Sequence, residues 1–257
     1  MILIMLAAIV LALIVLAVII MIAGYFYINH LKLPKARQGA IRVVCVGDSI
    51  TQGMGVLFNH PEQNSYPAFL QELLGNQYQV FNCGYTARTL LKSGDHPYTA
   101  SAHFRASQEI RPDLVLIMLG TNDSKPYNWN AMEYERQLAE FVDGYKSLPG
   151  SPQVFLLTPC AAFILKDKTK VVFDIRETVI ENEIFPIIQR VAAEKNIPVI
   201  NVFSATRGHP EYFGDGVHPN VTGDKAIAET IYRAFLENGA AVNGSPREKK
   251  SNEDLVK

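Results

Sequence analysis

Three cysteines in 257 residues, an odd count, give no disulfide framework, and no Cys-x-x-Cys or His-Glu-x-x-His spacing gives a metal site. Cys45, Cys83 and Cys160 each fall in or beside an apolar run, which predicts buried, inert thiols. Neither sign of charge dominates: Lys and Arg number 24, Asp and Glu 25, and the formal net charge is −1. No basic stripe or run stands out, which argues against a nucleic-acid-binding surface. The six histidines form no ligand cluster, and His60, His96, His103 and His209 read as surface or structural residues. No internal repeat is found, and the lipase-type Gly-x-Ser-x-Gly elbow is missing, which argues against the α/β-hydrolase fold.

Charge is also missing from the first stretch. Met1 to Ile28 contains no charged residue, and Leu, Ile, Val and Ala dominate. About 20 apolar residues span a bilayer, so this run is long enough. A cleaved signal peptide needs a basic start, a shorter apolar core and a small-x-small cleavage site. The run begins Met1, Ile2, Leu3, Ile4. The expectation is therefore an uncleaved single-pass membrane anchor over residues 1–29, with lipid as its partner and Tyr25, Phe26 and Tyr27 suited to an interface. Lys32, Lys35, Arg37 and Arg42 all follow the run, which by the positive-inside rule favours a cytoplasmic domain. The side of the membrane stays open, because a single span with few charges can defy that rule.

Beyond the anchor, residues 30–40 read as a linker, with Pro34 and Gly39 within it. Apolar runs and helical spacings then alternate. Strands are expected at Ile41–Val46, Tyr78–Phe81, Leu114–Leu119, Val154–Leu157 and Pro198–Val202. Helices are expected at Tyr66–Leu74 with Pro67 in its first turn, Ala100–Ile110, Met132–Leu148, Phe173–Lys195 with a kink at Pro186, and Val221–Leu236. Residues 238–257 are polar and charged without an apolar period and read as a disordered tail. The alternation predicts an α/β domain over 41–237, a five-stranded parallel sheet between two helical layers, with its ligand site at the carboxyl ends of the strands.

Four polar blocks fall at those ends. Gly47-Asp48-Ser49 follows the first strand, Asn82-Cys83-Gly84 the second, and Gly120-Thr121-Asn122-Asp123 the third. Asp215-Gly216-Val217-His218-Pro219 lies between the fifth strand and the last helix. A hydroxyl, an imidazole and a carboxylate in that arrangement suit acyl transfer through a covalent intermediate. Asp215 and His218 need a bend to meet, since a fully extended chain would set their Cα atoms about 10 Å apart. Asp215-Gly216 supplies turn chemistry, and Pro219 keeps His218 out of helical angles. Gly84 and Asn122 are candidate oxyanion donors, one through its backbone amide and the other through its side chain. Taken singly, Ser49 could be a helix cap, Gly84 a turn, Asn122 a loop cap and His218 a surface residue.

The ordered set resembles the GDSL or SGNH hydrolase family over about Ile41–Leu236, with Ile50 where the family name has Leu. The resemblance implies a three-layer, flavodoxin-like α/β/α fold with Ser49 as nucleophile, His218 as base and Asp215 as its partner. It also implies an oxyanion hole from the Ser49 amide, the Gly84 amide and the Asn122 side chain. No metal or organic cofactor is implied. Gly120 to Pro126 and Gly208-His209-Pro210-Glu211 look similar to bacterial carbohydrate O-acetylesterases of the sialate and acetylxylan types. Tyr127 and Trp129, the only Trp, follow the third block and are candidate sugar-binding residues, although ordinary packing would explain both. Lys125 could meet an acidic sugar, but a solvated lysine is the preferred reading. The expected reaction is hydrolysis of short-chain acyl esters on a carbohydrate. A lysophospholipase or acyl-thioesterase, a catalytically silent binding module, and acyl transfer to another alcohol are the alternatives.

Overall fold

A computed structural model describes residues 2–29, 31 and 33–238; most of the expected tail lies outside them. The chain divides into two compact units, one up to residue 32 and one from Leu33 onward.

The first unit is helix α1, Ile2–Asn29. Its described side chains from Ile9 to Met21 are all exposed. Among the described residues no helix is long and apolar enough to cross a membrane. The expected transmembrane span is therefore not supported among the described residues.

The second unit holds five parallel strands: β1 (Ile41–Gly47), β2 (Tyr78–Gly84), β3 (Leu114–Met118), β4 (Gln153–Leu157) and β5 (Val199–Ile200), in the order β2-β1-β3-β4-β5. Side chains alternate across a strand, so successive residues feed opposite faces. Val44 and Val46 join Val115 and Ile117 in one core layer. Val43 and Cys45 join Leu114, Leu116 and Met118 in the other. Helices Ala131–Lys146 and Phe185–Lys195 cover the first face with Leu138, Val142, Ile188 and Val191. Helices Tyr66–Leu74 and Val221–Glu237 cover the second with Leu70, Leu74, Ile227 and Ile231. Both faces are buried, and that is why the strands read as nearly unbroken apolar runs.

Three expectations change. Residues 33–40 are not a free linker: the Arg37 amide donates to Gln79 Oε1 at 2.6 Å, and Gln79 Nε2 donates to the Lys35 carbonyl at 3.0 Å, so the segment is fastened to β2. The fifth strand stops at Ile200, because Asn201 caps a short helix, Val202–Thr206, by accepting from the Ser204 amide. The long helix expected from Phe173 begins only at Glu177, passes through a π-helical stretch at Ile180–Ile184, and continues as Phe185–Lys195. Pro186 has no N–H to donate back one turn, and the wider π-turn directly upstream absorbs that loss. Phe173 itself sits at φ 59°, outside any right-handed helix.

The register brings the carboxyl ends of three strands level, with Gly47 paired to Gly84 on one side and to Met118 on the other. Strand order reverses about β1, and the loops leaving β1, β2 and β3 stand side by side at that switch point.

Candidate active site

The loop after β1 turns at once into a short helix, α2 (Ser49–Gln52). Asp48 caps it, its Oδ1 accepting from the Ile50 amide at 2.9 Å. Gly47 leaves no room for a side chain, since a Cβ there would lie 1.9 Å from Thr51 Oγ1. Ser49 is thereby placed at the first position of α2, where its N–H has no acceptor within the helix. Among the described residues that N–H has no other partner.

Asp215 and His218 meet in a tight turn. Gly216 takes φ 87°, a left-handed conformation that favours glycine, and a Cβ there would lie 2.3 Å from the Phe163 carbonyl oxygen. Asp215 Oδ1 accepts from the amides of Val217 and His218 at 2.9 and 2.7 Å. Its Oδ2 lies 2.7 Å from His218 Nδ1, and His218 Nε2 lies 2.9 Å from Ser49 Oγ. Because a carboxylate only accepts, Nδ1 carries the proton and Nε2 is left to accept from the hydroxyl. Burial works to raise the Asp215 pKa, but the hydrogen bond and charge of His218, with the two amides, outweigh it and bring Asp215 down to about 2. Ser49, His218 and Asp215 thus form a continuous relay with the tautomer that a nucleophile needs.

Beneath the nucleophile two carboxyl groups are sealed from water. Burial lifts Asp48 to about 6, against the pull of the Ile50 amide and of the charges on His218 and Lys125. Burial lifts Asp123 to about 7, although its carboxylate accepts from the amides of Leu91 and Leu90 at 2.8 and 3.0 Å. Asp123 thereby holds the loop after β2 against the loop after β3.

Residues 84–91 repay a count of their amides. Gly84 donates to Asn82 Oδ1 at 2.9 Å, Tyr85 to the Gly47 carbonyl at 3.0 Å, Thr86 to Gln52 Oε1 at 2.8 Å, Thr89 to the His96 carbonyl at 3.0 Å, and Leu90 and Leu91 to Asp123. Only Ala87 and Arg88 have amides without a partner among the described residues. The expected donor at Gly84 is therefore corrected. Its amide is committed to Asn82, and its glycine is required by packing, since a Cβ would lie 2.3 Å from the Gln52 nitrogen. Ala87, at φ 61°, carries one of the two free amides of this loop. Alanine gives no hint of that conformation; a glycine at 87 would have been the readable signal. The Asn122 side chain is buried beside it, donating to the Arg88 carbonyl at 3.2 Å and more weakly to Asp48 Oδ2 at 3.5 Å.

The chain matches the GDSL-like lipase/acylhydrolase family over residues 45–226, a stretch that contains the whole Ser49–His218–Asp215 relay. The chain belongs to that family. It is 35% identical over 227 residues to an acetylxylan esterase of Xylanibacter ruminicola, an alignment covering 80% of this chain and 46% of that protein, so the chain spans about half the length of its curated relative. Two solved structures share the fold. An aryl esterase of M. smegmatis aligns with a TM-score of 0.65 at 20% identity, over 77% of this chain and 99% of that one. A carbohydrate acetylesterase from Sinorhizobium meliloti aligns with a TM-score of 0.63 at 18% identity, over the same shares.

The remaining candidates of this GDSL-like family member divide. Tyr127 is 62% exposed on the loop after β3. Trp129 is occupied, its Nε1 donating to Glu183 at 2.8 Å and its ring packed 5.3 Å from that of Tyr134. Lys125 is not solvated: it is 6% exposed and pairs with Asp95 at 3.4 Å. Phe173 was hidden from sequence reading by its assignment to a helix, yet its ring lies 5.5 Å from that of His218.

Proposed function

We propose that this protein is a serine esterase that removes short acyl groups, acetyl above all, from carbohydrate. The observation that carries the reading is the unbroken relay from Ser49 Oγ through His218 to Asp215, at 2.9 and 2.7 Å. Ser49 Oγ attacks the ester carbonyl while His218 Nε2 takes its proton. The developing oxyanion is received by the amides of Ser49 and Ala87 and by the Asn122 side chain, whose N–H toward Asp48 Oδ2 is only weakly engaged at 3.5 Å. The tetrahedral intermediate collapses, and His218 returns the proton to the departing sugar oxygen. Water, deprotonated by His218, then attacks the acyl-enzyme and releases the acid. Acetyl and carbohydrate are supported by the name of the curated relative, an acetylxylan esterase, and by a structural neighbour described as a carbohydrate acetylesterase.

The exposed apolar side chains of α1 support a second element of the proposal, association with lipid through that helix.

The test compares turnover of p-nitrophenyl acetate and octanoate by the full chain and by Ser49→Ala. Acetate turnover that vanishes in the variant is expected. A preference for octanoate would replace the proposal with a lipid or thioester acylhydrolase, and turnover that survives Ser49→Ala would sink the relay. Membrane fractionation, with release by detergent but not by high salt, tests the lipid association.

A further inference from the structure

The rim of the site carries an aromatic ring that the relay does not use. Phe173 is 57% exposed, and its ring meets that of His218 edge-on, with centroids 5.5 Å apart and planes at 63°. Phe173 and Asp174 are consecutive non-glycine residues at φ 59° and 56°. Left-handed backbone costs an L-residue roughly 1–2 kcal/mol. Burial of the Phe173 ring does not offset that cost, because the ring is left in solvent.

The neighbours explain how the conformation is held. Val171 and Ile175 are buried on either side of it. Arg176 fastens the segment to the loop after β3, its amide donating to Ser124 Oγ at 3.1 Å and its Nε to the Ser124 carbonyl at 2.6 Å. Lys170 pairs with Asp174 at 2.6 Å. A large apolar ring is thus presented to solvent on a strained but fastened backbone, against the imidazole. Such outliers gather where a ligand is clamped.

The position assigns the part of the substrate. His218 Nε2 must hand its proton to the departing alcohol oxygen, so the alcohol half of the ester lies beside the imidazole, where Phe173 stands. We propose that Phe173 forms the wall of the leaving-alcohol subsite, and that the alcohol it receives is a ring with an apolar C–H face, a pyranose in chemical class. This rests on the esterase reading above. The ring is free for the role, whereas Trp129 is already bound to Glu183.

The experiment uses the full chain as wild type, Phe173→Ala and Phe173→Tyr, with two probes: ethyl acetate, which has no ring, and mono-O-acetylated methyl β-xylopyranoside. Phe173→Ala is expected to raise KM for the acetylated xyloside about 5–10-fold with kcat nearly unchanged, consistent with loss of one aromatic contact. Ethyl acetate kinetics and their pH profile stay as in wild type, and Phe173→Tyr restores the xyloside KM. An equal fall in kcat on both probes with a displaced pH profile would overturn the proposal, making Phe173 a positioning residue for His218. No change on either probe would overturn it too. An equal rise in KM for both probes in Phe173→Ala would sink the subsite alone. Wild type that turns over neither would sink the esterase reading and the subsite with it.

Discussion

The Asn122 amide nitrogen lies 3.5 Å from Asp48 Oδ2 and 3.2 Å from the Arg88 carbonyl oxygen, so one side chain ties the loops after β1, β2 and β3 together under the nucleophile. Asn122→Ala removes that tie and, on the proposed mechanism, one oxyanion donor. The expected result is a fall in kcat of about 10²–10³-fold with KM little altered, read from steady-state kinetics on p-nitrophenyl acetate. A loss confined to KM would place Asn122 in ground-state binding instead.

Ala87 makes a sharper case, because its contribution is a backbone amide. Ala87→Gly suits φ 61° and is expected to leave kcat within a few-fold of wild type. Ala87→Val sets a β-branched residue in the same conformation. It is expected to lower kcat by at least about tenfold and to lower stability by about 1–2 kcal/mol. Urea unfolding of both variants, alongside kinetics, separates the two effects.

Asp215→Asn replaces an acceptor by a group that also donates. Oδ1 already serves two amides and Oδ2 serves Nδ1–H, so the new NH₂ must oppose one of these donors. The imidazole is expected to lose its productive tautomer, with kcat falling about 10³–10⁴-fold while the fold persists. A circular dichroism spectrum like that of wild type beside that rate loss is the check.

Stability is expected to fall as pH rises from about 4 to about 7. Asp48 and Asp123 have folded pKa values of about 6 and about 7, above their unfolded values. The native state therefore binds more protons than the unfolded chain across that window, and unfolding becomes easier as they leave. Asp215 works the other way: its depressed pKa gives stability that is present above about pH 4 and lost only as pH falls toward 2. Asp48→Asn keeps an oxygen for the Ile50 amide and removes one ionisation. Its Tm should decline less between pH 4.5 and pH 8, by about 2–4 °C for each kcal/mol recovered. Scanning calorimetry at the two pH values decides this; a decline as steep as in wild type would show that Asp48 is solvated.

Cys45, Cys83 and Cys160 are buried, and burial pushes Cys83 up to about 12 and the other two upward as well. None should react with a thiol reagent in the native state, and activity should survive iodoacetamide. Rapid labelling without denaturant would show that the sheet opens.

The positions of the strands, the shared rim of their carboxyl ends and the meeting of Asp215 with His218 were legible because each rests on local chemistry. An apolar run buried on both faces marks a strand, and Asp-Gly before His-Pro marks a turn that can join a carboxylate to an imidazole. Which amide of this loop is free was not legible, because the choice between Gly84 and Ala87 depends on which amide the Asn82 side chain consumes. Phe173 escaped because it was assigned to the start of the long helix, whereas Phe173 and Asp174 turn left-handed and the helix begins only at Glu177. Trp129 looked like a ligand platform only while Glu183, 54 residues away, was out of view. Lys125 misled for the same reason, its partner Asp95 lying on another loop.

Ser49 and His218 stand 169 residues apart yet share one hydrogen bond. While the chain is being made, the nucleophile emerges early and stays an ordinary hydroxyl until the stretch after the fifth strand has been synthesised and docked. On the proposed reading, a partly made or partly unfolded chain lacks the Ser49–His218 contact, so turnover would double as a report that both ends of this unit have come together.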